Sequence, residues 1–72
     1  MTQNYHITSE YITLGQFLKE ICEVPSGGAA KYYLADFDVL VNGEIERRRG
    51  RKLYVGMSVT LPSGENYSFI EE

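Results

Sequence analysis

Five of the chain's seven lysines and arginines fall within six residues, Arg47-Arg48-Arg49-Gly50-Arg51-Lys52. Side chains of this type do no covalent chemistry on their own. They bind anions, and arginine's planar fork suits bidentate contact with phosphate or carboxylate. The net formal charge is −3, and removing these five cations leaves −8 on the remainder. An acidic small chain has gathered its positive charge in one place. Like charges this close repel and gain nothing from folding, so such a cluster reads a polyanion or stands in solvent. Gly50 predicts a bend or bulge that splays the side chains. A competing reading pairs Arg47, Arg48 and Arg49 with Glu44 and Glu46, and uses the cluster to solubilise an exposed edge strand. Composition alone leaves both open.

Other chemistry is sparse. The single cysteine, Cys22, has no disulfide partner and sits at an apolar helical position, which predicts a small core residue. No Cys/His cluster has metal-ligand spacing. His6 lies on the polar side of an alternating stretch with no nucleophile motif beside it. Ser26-Gly27-Gly28 invites a phosphate-loop reading but lacks the spacing of a Walker loop or a dinucleotide fingerprint, so it is read as a tight turn. With no nucleophile–base pair, metal set or cofactor loop, the expectation is a non-enzyme without cofactors. No apolar run approaches the roughly 20 residues needed to span a bilayer. A basic leader with an apolar block is not seen, and the chain reads as a cytoplasmic, soluble protein.

Elements that could position the cluster are legible. Seventy-two residues make one domain, residues 1–72, which buries only about 60% of its unfolded surface. Residues 3–9 alternate Tyr5 and Ile7 with polar neighbours and predict a strand. Thr13 is an N-cap, with Gln16 completing a capping box, for a helix bearing Leu14, Phe17, Leu18, Ile21 and Cys22 on one stripe. Pro25 is expected to end that helix near Glu23. Ser26 offers the next N-cap, with Gly27 and Gly28 in the first turn of a second helix. Its stripe is Ala29, Ala30, Tyr33, Leu34 and Phe37. Val39–Val41 is a strand, and Asn42-Gly43 is the strongest short hairpin signal, because a type I′ turn needs positive φ at both central residues. A two-residue loop sets Leu40 opposite Ile45. Leu53-Tyr54-Val55 and Ser58–Leu61 follow as strands around a turn at Gly56, then a turn at residues 62–65 and a last strand through Tyr67 and Phe69. Glu71 and Glu72 read as a solvated end. Helices and strands are segregated, so the fold class is α+β: two helices packed on a small, twisted, mostly antiparallel sheet.

The run Ser26–Gly43 resembles the central motif of the S-four domain, the alpha-L RNA-binding motif. Ala30-Lys31, the apolar pair Tyr33-Leu34 and Val39-x-Val41-Asn42-Gly43 match without a gap, and Val55-Gly56-x-x-Val59 is similar to the family's closing strand signal. The resemblance covers about residues 12–61. Thr-Leu-Gly-Gln-Phe-Leu at 13–18 and Arg-Arg-Gly-Arg-Lys-Leu at 48–53 look most like the short, stand-alone YaaA-like bacterial members. The chain departs from the family pattern at Thr13, Gly27, Phe37 and Met57, where the family often has a basic residue, Arg, Gly and Asp. What the resemblance implies is a positively charged face made by the second helix and the hairpin, laid against structured RNA, ribosomal or tRNA-like. The departures shift the implied phosphate contacts to Lys31, Arg47, Arg48, Arg49, Arg51 and Lys52.

Asn42 and Gly43 are expected to shape the turn that presents these cations. Tyr32 and Tyr54 flank the basic elements and suit stacking on an unpaired base or, alternatively, a wet cover over the core. The protein is expected to act as a monomer, with structured RNA and ribosomal proteins as partners and no membrane. The alternative is a protein-interaction module in a ribosome-assembly or DNA-repair complex, served by the acidic remainder and the tyrosines.

Overall fold

A computed structural model describes residues 2–71. Its elements, in chain order, are β1 (Thr2–Ile7), β2 (Ile12–Thr13), α1 (Leu14–Glu20), α2 (Ala30–Asp36), β3 (Leu40–Val41), β4 (Glu44–Ile45), β5 (Lys52–Leu53), β6 (Ser58–Thr60) and β7 (Asn66–Glu71). Five strands form one sheet in the order β1-β7-β6-β3-β4, and β2 pairs with β5 in a separate two-stranded ladder. All pairings are antiparallel except β1 with β7, which joins the two ends of the described chain in parallel, Tyr5 opposite Phe69. The expected α+β class with two helices and a mostly antiparallel sheet is what forms. The parallel β1–β7 pair is the feature that local patterning does not predict, because it is a contact between distant segments. Glu71 is exposed, as expected, but it is paired as the last residue of β7. Glu72, expected beside it, lies outside the described residues.

Phe17 is the hub of the core. It is fully buried, and its ring meets Tyr5, Tyr67 and Phe69 edge-on with centroids 5.0–5.1 Å away. Edge-to-face contacts bring the positive rim of one ring to the negative face of another, which adds about 0.5–1.5 kcal/mol per pair beyond burial. Leu14 and Leu18 from α1 and Ala30 and Leu34 from α2 complete the layer over Val41, Val59 and Leu53 from the strands and Val39 just before β3. Both helical stripes are thus largely as expected. Phe37 is one exception, Cys22 the other: Phe37 follows the end of α2 in extended backbone, is half exposed, and lies against Tyr33 at 4.9 Å.

The strands expected at Val39–Val41 and Leu53-Tyr54-Val55 are shorter, Leu40–Val41 and Lys52–Leu53, with Val39, Tyr54 and Val55 outside them. Two helix boundaries also differ from the sequence expectation. The first helix ends at Glu20, not near Glu23. Its C-terminus closes with the Cys22 N–H donating to the Lys19 carbonyl and the Glu23 N–H to the Leu18 carbonyl, while Cys22 takes a left-handed φ of 64°. That pair of bonds is a Schellman closure, ordinarily built on glycine. It turns Cys22 out of the stripe, so the cysteine is exposed and not a core residue. The second helix begins at Ala30, without a side-chain cap, and Gly27 and Gly28 precede it. Ser26 caps a turn instead, its Oγ accepting from the Ala29 N–H at 3.2 Å.

Candidate nucleic-acid interface

The β3–β4 hairpin forms in the expected register, Leu40 opposite Ile45, around Asn42 (φ 51°) and Gly43 (φ 84°). Asn42 also pins the turn to β6. Its N–H donates to the Ser58 carbonyl, and its Oδ1 accepts from the Ser58 N–H, at 2.8 and 2.9 Å. At the other end of the hairpin the ladder continues one step, with the Glu46 N–H on the Val39 carbonyl at 2.9 Å. The cationic loop leaves from that open end. It is therefore separated from the Asn42-Gly43 turn by the length of the hairpin, about 10 Å at ~3.3 Å per residue. The turn fixes the hairpin's register and does not stand among the cations.

The loop itself is anchored through its backbone. Arg51 N–H donates to the Arg48 carbonyl at 3.2 Å, closing a tight turn with Arg49 and Gly50 at its tip. The first N–H groups of an α-helix lack partners within the helix. Here Leu14 N–H donates to the Arg51 carbonyl and Gly15 N–H to the Arg49 carbonyl, both at 2.8 Å, while Gln16 N–H reaches the Thr13 Oγ1 at 3.3 Å. The cationic loop is thus part of the N-terminal cap of α1. Gly15 makes the approach possible. A Cβ at that position would lie 3.2 Å from the Arg49 Cβ and 3.3 Å from its carbonyl oxygen. Even a single added Cβ there would require the Arg49 backbone to shift by a few tenths of an ångström.

Sequence reasoning missed Gly15, although a glycine in the first turn of an otherwise good helix is a signal of close backbone approach.

Glu46 organises the side chains. Its carboxylate accepts from the Arg48 Nε and Nη2 at 3.0 and 3.1 Å, from the Arg48 backbone N–H at 3.2 Å, and from the Arg51 Nη1 at 2.8 Å. It is 7% exposed and is the one buried charged residue among those described. Hydrogen bonding from Arg48, opposed by burial and reinforced by Arg51, holds its carboxyl down at about 2, well below the usual 4.5. From sequence alone Glu46 reads only as a neutralising partner for the arginines. Its position one residue before the arginines and one step past the hairpin ladder was the available signal for a larger role.

The predicted cations are brought together unequally. Arg47 donates to the Leu34 carbonyl at 2.7 Å and to Asp38 at 2.9 Å, tying the loop to the C-terminal half of α2. Arg48 and Arg51 share Glu46, yet their side chains remain 75% and 36% exposed. Glu44 takes none of the ion pairs among the described residues. Arg49 reaches only the Gly27 carbonyl, at a long 3.5 Å. Lys52 stands over the Tyr11 ring at 4.9 Å, and Lys31 near the Tyr32 ring at 5.9 Å. Lys31, Arg49 and Lys52 are exposed and have no carboxylate partner among the described residues. Subtracting Glu46 and Asp38 leaves the loop's five cations a net of three positive charges, and Lys31 on α2 adds a fourth. Tyr32 is exposed beside Lys31.

This geometry sits in a chain whose residues 5–69 match the family model described as S4 domain. The chain belongs to the S4 domain family. The family match extends beyond the 12–61 run on both sides and takes in half of β1 and most of β7, the parallel pair at one edge of the sheet. A curated relative has a similar length. The "Probable ribosome maturation protein RlbA" of Bacillus subtilis (strain 168) is 55% identical over 61 residues, which cover 85% of this chain and 86% of that protein. No solved structure matches the chain. Among the described residues of this S4 domain, no helix is long and apolar enough to cross a membrane.

Proposed function

We propose that this S4 domain is a non-enzymatic, cytoplasmic RNA-binding protein that contacts structured RNA through its cationic loop, in ribosome maturation. The observation behind the reading is the loop's construction. Its backbone is tied to α1 and two of its arginines, Arg48 and Arg51, to one buried carboxylate, while Arg49 and Lys52, and Lys31 on α2, keep their charges open to solvent. A surface built only for solubility needs no such fixation, since exposed ion pairs contribute little to stability. Folded RNA is read largely by phosphates, 2′-hydroxyls and shape, for which a rigid cationic edge suffices. Lys31, Arg49 and Lys52 are the phosphate contacts. Arg47, Arg48 and Arg51 hold the loop and turn their remaining donors outward. The name of the relative places that protein in ribosome maturation, which favours ribosomal RNA over a tRNA-like target.

A net of four positive charges gives the test. In a filter-binding titration on structured ribosomal RNA, log K should fall with log salt at a slope of about −3, since each phosphate contact contributes roughly 0.7–0.9. A slope near zero contradicts the proposal.

A further inference from the structure

The small β2–β5 ladder carries a second feature of the interface. With Ile12 opposite Leu53 and Thr13 opposite Lys52, strand alternation sends the buried Ile12 and Leu53 into the core. The opposite face then holds Lys52, with Tyr11 and Tyr54 one step beyond the last pair. The two rings lie 5.8 Å apart, tilted by 50°, and are 38% and 40% exposed. Lys52 covers part of Tyr11. Beside them is an open depression of about 500 Å³ lined by Arg48, Gly50, Arg51, Lys52, Tyr54 and Met57.

We infer that this depression is a subsite for one unpaired nucleotide of the bound RNA, its base stacked on Tyr54, which Tyr11 backs from the side, and its phosphate held by Lys52 and Arg48. The inference rests on the proposed RNA-binding function and specifies the RNA: a duplex with a base turned out of the helix beside it. Exposed aromatic rings offer a face that any base can stack on. The cations that rim the depression match the phosphate that accompanies every base. Glu46 fixes Arg48 and Arg51 at the rim, so little ordering is required when the nucleotide arrives. A protein side chain entering the same place would meet a strongly cationic rim, which disfavours most partners other than an acidic one.

The test compares a ribosomal RNA duplex with the same duplex carrying a single bulged adenosine, and repeats it with 2-aminopurine at the bulge. The wild-type protein should bind the bulged RNA about tenfold more tightly, in line with the stacking energy of one base, and quench the 2-aminopurine. Tyr54→Leu should erase both effects while keeping the affinity for the plain duplex and its salt slope. Tyr54→Phe, which keeps the ring, should retain them. Salt-dependent binding with no preference for the bulge, or a preference that Tyr54→Leu leaves intact, overturns the subsite alone and returns the aromatic pair to a protein-facing surface. Absence of salt-dependent binding to either RNA overturns the RNA-binding function, and the subsite with it.

Discussion

Changing Lys31, Arg49 and Lys52 together to alanine should lower affinity for structured RNA by about a hundredfold at 0.1 M salt and flatten the salt slope by about 2. The reasoning separates the cations by what already holds them. A hydrogen bond to a charged group contributes about 1.5–3 kcal/mol, but an exposed, flexible side chain delivers less, near 1 kcal/mol for each phosphate contact. These three side chains have no carboxylate to release before they bind. They also lie outside the hydrophobic core, so their loss should leave the melting temperature nearly unchanged. Arg47→Ala should behave in the opposite way. It removes the contacts to the Leu34 carbonyl and Asp38, so stability changes more than slope. A triple variant that binds like the wild type, measured by filter binding across a salt series, would remove Lys31, Arg49 and Lys52 from the interface.

Glu46→Gln should destabilise the fold by about 1–2 kcal/mol at neutral pH, lowering the melting temperature by roughly 4–16 °C for a domain of this size. The carboxyl is held at about 2 in the folded protein against 4.5 ordinarily. At about 1.36 kcal/mol per unit the full shift would be near 3 kcal/mol. The lower figure reflects the exposure of the guanidinium groups that hold it, which lets solvent screen the attraction. Because the folded value is depressed, this stabilisation is present above pH 4.5. It is lost as the pH falls through 4.5 towards 2. Glutamine has the shape of a protonated glutamate, so the two proteins should differ in stability at pH 7 and converge near pH 2 in urea unfolding. A difference that does not change with pH would mean that Glu46 acts through packing and not through its charge.

The two halves of the interface were unequally visible in the sequence. The cluster at 47–52 and the hairpin before it could be read directly, because charge density and Asn42-Gly43 are local signals. The register Leu40–Ile45 followed from the turn alone. Apolar periodicity found both helical stripes but carried the first one too far. Cys22 kept the spacing of the stripe after the helix had ended, and nothing in its chemistry marks a left-handed C-terminal position, which glycine usually fills. Tyr11 went unremarked because its importance depends on the Ile12–Leu53 pairing, a contact across 41 residues. Gly15 shares that character, since its meaning comes from the backbone of Arg49, 34 residues on. Glu46 differs: its partners Arg48 and Arg51 are close in sequence, but only the turn of the loop folds both guanidinium groups back onto one carboxylate. The β1–β7 pair, joining the ends of the described chain, is the extreme case.

The proposed RNA contact is tested most directly by mapping it on the protein. In a titration of the isotopically labelled protein with structured ribosomal RNA, amide shift changes should concentrate at Arg48–Lys52, at Lys31 and Tyr32, and on the Tyr11–Tyr54 face. The β1–β7 edge should stay silent. Changes centred on β1 and β7, with the 48–52 loop unperturbed, would contradict the account.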